Sequence, residues 1–382
     1  MYVLKFLQRQ KELLNRFRIG KEVQLEESRI NVHTFAFESK GITPFDGATD
    51  NELLPDQNIS ENERFNYQVF VPIGKTNSDA FILLLHGLNE RNWDKYLIWA
   101  EYLAMQTGKP VILFPIAFHI NRAPSLWCDP RSMKTVMEKR LTDSGDHRSL
   151  SFVNAALSER LSEEPSRFYS SGRQTLNDLT KLTREIKEGK HPLFAPDATA
   201  DIFAYSIGSF LSEILLMANP QKLFTDSRLF VFCGGSIFSH MYGESRCIMD
   251  KSAYDRLYHY YCHEWSAILK RTRKSGKVLQ DSILTAFNAM INPDTYRESR
   301  ERFFHSCQHR ISGISLLKDK VMPWAGVEAC MGSKLASQCF ELVDFPYEYT
   351  HEFPFPANGR IDDLSLDHSF SKVFQKAASF LA

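Results

Sequence analysis

Short, unbroken apolar runs constrain this chain more than any other feature: "FILLL" at 81–85, "VILF" at 111–114, "IFAY" at 202–205 and "LFVF" at 229–232. A strand with one wet face alternates apolar and polar residues, so a strand apolar throughout must be covered on both faces. Helical patterns separate the runs. "WDKYLIWAEYLAMQTGK" carries Tyr96, Trp99, Ala100, Leu103 and Ala104 on one stripe and stops at Gly108 before Pro110, as a helix end should. "RQTLNDLTKLTREIKEGK" repeats the pattern, and "SFLSEILLMAN" follows the run "TADIFAYS" directly. With "FNYQVFVPIG", "PVILFPIAF", "RLFVFCGG", "RISGISLLKD" and "QCFELVDF" read as further strands, the alternation predicts an α/β chain with a mostly parallel central sheet flanked by helices. "SFSKVFQKAASFLA" closes it with an apolar stripe of Phe370, Val373, Phe374, Ala377, Phe380 and Leu381.

Two stretches fall outside that alternation, at about residues 124–170 and 238–308, and each is longer than the ~2–6 residues that usually join a strand to a helix. The second holds helical patterns, "YDRLYHYYCHEWSAILKR" and "SILTAFNAM", and reads as a helical lid; the first reads as an irregular extension after a central strand. Repeats and Gly/Ser-rich linkers are lacking. The expected organisation is therefore residues 1–60 as an N-terminal helix and extension packed on the core, and residues 61–382 as one domain with those two insertions.

Charge and cysteine content exclude several function classes. Lys+Arg 46 against Asp+Glu 46 leaves no net field to attract nucleic acid or an anionic membrane. No run approaches the ~20 apolar residues of a membrane span. The start, "MYVLKFLQRQKELLNRF", has apolar residues at helical spacing and lacks the apolar core and cleavage site of a signal peptide, which predicts an amphipathic helix in a cytoplasmic protein. Seven cysteines without a CxxC pair fit reduced thiols, read as small buried hydrophobes.

In "AYSIGS" a serine ends a buried strand and begins a helix, with Ala204 two places before it and Gly208 and Ser209 two and three places after. A turn that sharp strains the serine backbone and brings the neighbouring chain so close that larger flanking side chains would collide. It displays the hydroxyl beside free helix N–H groups, which favour negative charge. The pattern resembles the nucleophile elbow of the α/β-hydrolase superfamily, with Ala204 where a first glycine is commoner. An upstream "HGLN" after "FILLL" matches the same resemblance, which covers about residues 60–382 outside the insertions.

That resemblance implies a serine hydrolase, cleaving a carboxylic ester or related acyl bond with Ser206 as nucleophile, through an acyl-enzyme. It implies an oxyanion hole from the amides of Leu88 and Ile207, a structural role for His86, and no cofactor. The superfamily's chain order of Ser, acid, His points to Asp319 in "KDKVMPW", with Asp344 as rival, and to a base after the last strand. His351 and His368 both qualify. His368 opens the closing helix, whose positive dipole end opposes an imidazolium, whereas His351 lies in a Pro-interrupted loop, so His351 is favoured and His368 is the alternative base.

Asn89 and Arg91 after the His-Gly, and His119 and Arg122 after the next strand, fall at the sheet's carboxyl edge and are candidate pocket residues with Tyr205; Trp93 and Trp127 share that edge. A structural role, tying loops to the lid, is the competing reading for these arginines. His259 with His263, and His305 with His309, have the i,i+4 spacing of a zinc pair, but neither has an evident third ligand, and no metal site is expected. The expected partner is a small-molecule acyl substrate, with a homo-oligomer left open. A peptidase or thioesterase would use the same triad, and an inactive hydrolase-fold binding protein is the alternative from another class.

Overall fold

The computed structural model describes residues 5–41, 58–274, 281–357 and 359–382. Its centre is a nine-stranded sheet in the order β1-β2-β3-β5-β4-β6-β7-β8-β9. The strands are β1 (Val23–Leu25), β2 (Ile30–Glu38), β3 (Arg64–Pro72), β4 (Ser78–Leu85), β5 (Val111–Leu113), β6 (Phe194–Tyr205), β7 (Leu229–Phe232), β8 (Ile311–Leu316) and β9 (Phe340–Val343). From β5 through β9 every neighbouring pair is parallel, and β1, β2 and β3 extend the sheet antiparallel.

The solid apolar runs are explained by which face each residue serves. In β4, Phe81, Leu83 and Leu85 enter the core on one face while Ile82 and Leu84 enter the core on the other. In β6, Ile202 and Ala204 divide from Phe203 and Tyr205 in the same way. Each large apolar side chain so buried contributes on the order of 1.5–3 kcal/mol. The helices α1 (Phe6–Arg16), α2 (Asp94–Thr107) and α5 (Asp363–Leu381) cover one face; α3 (Ser166–Lys187) and α4 (Ile207–Ala218) cover the other. α2 ends on Gly108 in the left-handed conformation, φ 66°. Together these features are an α/β fold with a mostly parallel central sheet flanked by helices.

Several expectations need correction. The N-terminal stretch is more than a helix and extension, because β1 and β2 add to the sheet, β2 pairing with β3 from Ile30↔Pro72 to Glu38↔Arg64. Residues 42–57 of that stretch lie outside the described residues. The segment 124–170 is not irregular: it contains helices Lys134–Ser144 and Ala155–Glu163, and α3 begins at Ser166, well before the predicted "RQTLND". β5 is only three residues long, since Pro115 stands where a longer strand would continue. The segment 238–308 holds helices Lys251–His259, Trp265–Lys274, Ser282–Ala289 and Arg297–Cys307. Among the described residues no helix is long and apolar enough to cross a membrane.

The cysteines are unpaired; Cys233, Cys307, Cys330 and Cys339 are buried, but Cys128 is exposed and Cys247 and Cys262 are half-buried, so burial does not describe them all.

Candidate active site

Ser206 sits between β6 and α4 with φ 56° and ψ −124°, a conformation that side-chain-bearing residues rarely adopt and that persists only when its surroundings enforce it. The enforcement is steric and polar. A Cβ on Gly208 would lie 2.6 Å from the Leu85 carbonyl oxygen and 2.8 Å from that of His86, so only glycine lets α4 start so close to β4. Ala204 is fully buried. The Ser209 hydroxyl donates to the Ser206 carbonyl at 2.5 Å and receives the Gly235 amide at 3.1 Å, tying the turn to the loop after β7.

The turn aims Ser206 Oγ at the ring of His351, whose Nε2 lies 2.7 Å away, and His351 Nδ1 lies 2.7 Å from Asp319 Oδ2. Asp319 Oδ1 accepts the amides of Val321 and Met322, both at 2.9 Å. The ionised carboxylate can only accept, so Nδ1 carries the ring proton and Nε2 accepts from the serine. The relay is shielded, with Ser206 2% and His351 and Asp319 each 4% exposed. Beside it the buried Cys233 thiol is pushed well up by desolvation and by the Asp319 charge, which keeps it protonated.

The backbone of His351 is held as well. The Tyr205 hydroxyl donates to its carbonyl, and the two rings stack with centroids 5.3 Å apart at 18°. Lys95 Nζ stands 4.7 Å from the Tyr205 ring centre, 2.5 Å from Glu90 Oε1, and donates to the Glu352 carbonyl at 3.1 Å. Tyr205 is 1% exposed and edges the cleft that holds Ser206, while its hydroxyl clamps the loop of His351.

The loop after β4 supplies donors. Its His86 is fully buried, receives the Ile116 amide on Nε2 at 2.9 Å and places Nδ1 2.8 Å from the Gly87 carbonyl oxygen. Desolvation, with help from His119, holds its pKa well below the usual imidazole value, so it stays neutral. Asn89 has φ 60°, in the left-handed region. The amides of Leu88 and Ile207 have no protein acceptor among the described residues, and that of Ile207 is one of the free N–H groups at the α4 N-terminus.

The other named residues divide. The Asn89 amide group ties Val153 and Cys247 carbonyls at 2.8 Å each, and Arg91 donates to the Phe152 and Val153 carbonyls at 2.8 and 2.7 Å, so both brace the cleft rim against the 124–170 segment. His119 lines a small apolar chamber; its Nδ1 lies 2.9 Å from the Ala117 carbonyl oxygen, and burial pulls its pKa down to about 4. Arg122 is not a pocket residue. It is fully buried, 2.8 Å from Asp178 Oδ2 and 4.2 Å from the Phe65 ring centre, and this saturated pairing takes it out of reach of a ligand. Trp93 and Trp127 are likewise buried in packing, Trp93 edge-on to His86 and Trp127 near the Arg160 guanidinium at 4.4 Å.

His368 is exposed on α5, and Asp344 accepts the Tyr349 hydroxyl at 2.8 Å; neither joins the relay. His259, His263, His305 and His309 are exposed, and among the described residues no three His, Cys, Asp or Glu side chains gather as a metal site requires. Sequence reasoning missed the Ser209 brace, the Lys95–Glu90 pair and the Cys233 contact. Only Ser209 had a signal, as the second small residue after the elbow.

The family model described as "Family of unknown function (DUF6051)" matches residues 4–382. No curated protein matches the sequence. Solved structures similar to the chain include carboxyl esterase 2 from the mycorrhizal fungus Tuber melanosporum, at 10% identity and TM-score 0.45, covering 98% of this chain and 96% of that one. Vibralactone cyclase is similar at 12% identity and TM-score 0.47, covering 98% and 85%. An esterase from Pyrobaculum calidifontis is similar at 10% identity and TM-score 0.41, covering 99% and 91%.

Proposed function

The chain belongs to the DUF6051 family, and we propose that it is a serine hydrolase that cleaves a carboxylic ester or related acyl bond through an acyl-enzyme. One observation carries the reading: a serine with φ 56° whose Oγ lies 2.7 Å from an imidazole that is itself 2.7 Å from a carboxylate fixed by two backbone amides. A strained, buried hydroxyl serves structure poorly and nucleophilic attack well.

Ser206 Oγ attacks the acyl carbon while His351 Nε2 takes its proton. Asp319 holds the Nδ1–H tautomer and stabilises the imidazolium without taking a proton itself. The oxyanion of the tetrahedral intermediate faces the Leu88 and Ile207 amides, and losing one such donor typically costs ~10²–10³ in kcat. Collapse breaks the bond to the leaving group, which receives the proton from His351, and water repeats the sequence to release the acid. The 238–308 helices act as a lid over the site, and no step calls for a cofactor or metal.

Labelling by a fluorophosphonate probe tests this. Wild-type protein is expected to label at Ser206, and Ser206→Ala to lose both labelling and turnover. A well-folded wild-type protein that neither labels nor turns over any ester, thioester or amide favours a hydrolase fold retained for binding. Panels of those three substrate types separate an esterase from a thioesterase or peptidase.

A further inference from the structure

Ser206 stands between two unequal spaces. On one side is an open cleft of about 860 Å³ that it shares with His351, Tyr205 and Lys95. On the other is an apolar chamber of about 40 Å³ walled by Phe238, Met249, Leu257 and Met322, in which His351 takes no part. A second apolar chamber of about 40 Å³ lies beyond, among Ile116, Phe210, Ile283 and Phe287. Leu88, Phe168 and Ile207 line both chambers and so form the partition between them. Leu88 and Ile207 are committed through their amides. Phe168, from α3, is the side chain that closes the first chamber, held by ring contacts to Phe238 at 5.5 Å and Tyr261 at 5.7 Å.

The path of the proton decides which half of a substrate occupies which space. His351 must return its proton to the departing oxygen, so the leaving group lies on the side that contains His351 and the acyl group on the side that does not. A water-sized sphere takes roughly 10–15 Å³, so the acyl chamber has room for about three carbon-sized groups. The cleft is over twenty times larger in volume by the figures above, and its lining carries both charge signs, Arg91 and Lys95 with Asp94 and Glu348, beside the exposed ring of Phe353. The wall of the cleft is completed by Gln10 and Leu14 of α1.

Resting on the serine-hydrolase reading, we propose that the substrate is an ester of a short-chain acid with a large polar alcohol, and that Phe168 sets the limit on acyl length. The ester C–O bond breaks, the alcohol leaves through the cleft with the proton from His351, and the short acyl group stays on Ser206 Oγ until water removes it.

The test is kcat/KM for p-nitrophenyl acetate, butyrate and octanoate with wild-type protein, Phe168→Ala and the milder Phe168→Leu. Wild type is expected to lose at least ~10-fold from butyrate to octanoate, in the range a few misplaced methylenes produce. Phe168→Ala is expected to join the chambers and raise the octanoate-to-acetate ratio by ~10-fold, with Phe168→Leu raising it less; the second variant keeps the test open if the first does not fold. With acetate as the acyl group, a peracetylated monosaccharide is expected to be hydrolysed faster than octyl acetate. Octanoate turnover equal to butyrate in wild type, an unchanged ratio in both variants, or preference for octyl acetate overturns the proposal while fluorophosphonate labelling of Ser206 stands. Loss of labelling and of all turnover in folded protein instead overturns the hydrolase reading, and this inference with it.

Discussion

The start and the middle of α4 bury polar groups under opposite rules. At its start, Ser206 is 2% exposed, and its hydroxyl, both His351 nitrogens and both Asp319 oxygens all have partners. Two turns further on, Glu213 is fully buried and neither carboxyl oxygen has a partner among the described residues. Its surroundings are apolar or weakly polar: Oε1 lies 3.7 Å from the site of a Cβ on Gly235, and the thiols of Cys307 and Cys330 stand near enough to feel its charge. Desolvation therefore pushes its pKa up to about 8. Equal burial thus yields a poised relay where partners are arranged and a retained proton where they are not.

Breaking the front should have the larger effect. Asp319→Asn keeps the shape of the relay but reverses the hydrogen bond to Nδ1, and a loss of ~10⁴ in kcat is expected, read by steady-state kinetics on folded protein. A loss under tenfold would mean that His351 is not the base. Tyr205→Phe removes only the hydroxyl that holds the His351 carbonyl. It should lower kcat about tenfold with KM little changed, since misplacement of a catalytic group by a fraction of an ångström is costly to rate and cheap to binding.

The back should show itself through stability. The folded protein keeps the Glu213 proton up to about pH 8, whereas an unfolded chain releases it near 4.5. Stability from that difference is complete below about pH 4.5 and is lost as pH rises through 8. Against Glu213→Gln, which carries no titrating group, wild-type Tm is expected to fall by a few degrees across that window. Parallel melting curves at pH 5 and pH 8.5 would refute the contrast. His119 and His191 behave in the reverse sense: burial lowers both to about 4, so their contribution is present above 6.5 and is lost as pH falls through 4. A smaller drop in Tm between pH 6.5 and 4 should shrink in His191→Gln.

How much of this was legible in the sequence depended on whether local chemistry or distant contacts did the work. The parallel strands were readable because burial on both faces leaves an unbroken apolar run, and the fold follows from them. The side chains joined at Ser206 are those that the motif and its chain order named, because a strained turn needs small neighbours adjacent in sequence. β2 was hidden because it changes which face it buries: Ile30 and Val32 face one core, Phe37 the other, so no single period of two survives. The helix Lys134–Ser144 has only a short apolar stripe of Val136, Met137 and Leu141, interrupted by Arg140. Its buried Arg140 is held instead by Asp250 at 2.6 Å and Glu159 at 2.8 Å, partners that composition along the helix cannot reveal. Arg122 misled for the same reason, its fate being decided by Asp178, far along the chain.

Tyr205 and Ser206 are consecutive residues, and one grips the main chain of the base while the other receives its ring. A single peptide link therefore serves as the gauge between the Ser206 hydroxyl and the imidazole. On the proposed mechanism, a shift of the loop bearing His351 would therefore carry the donor and acceptor of the transferred proton together.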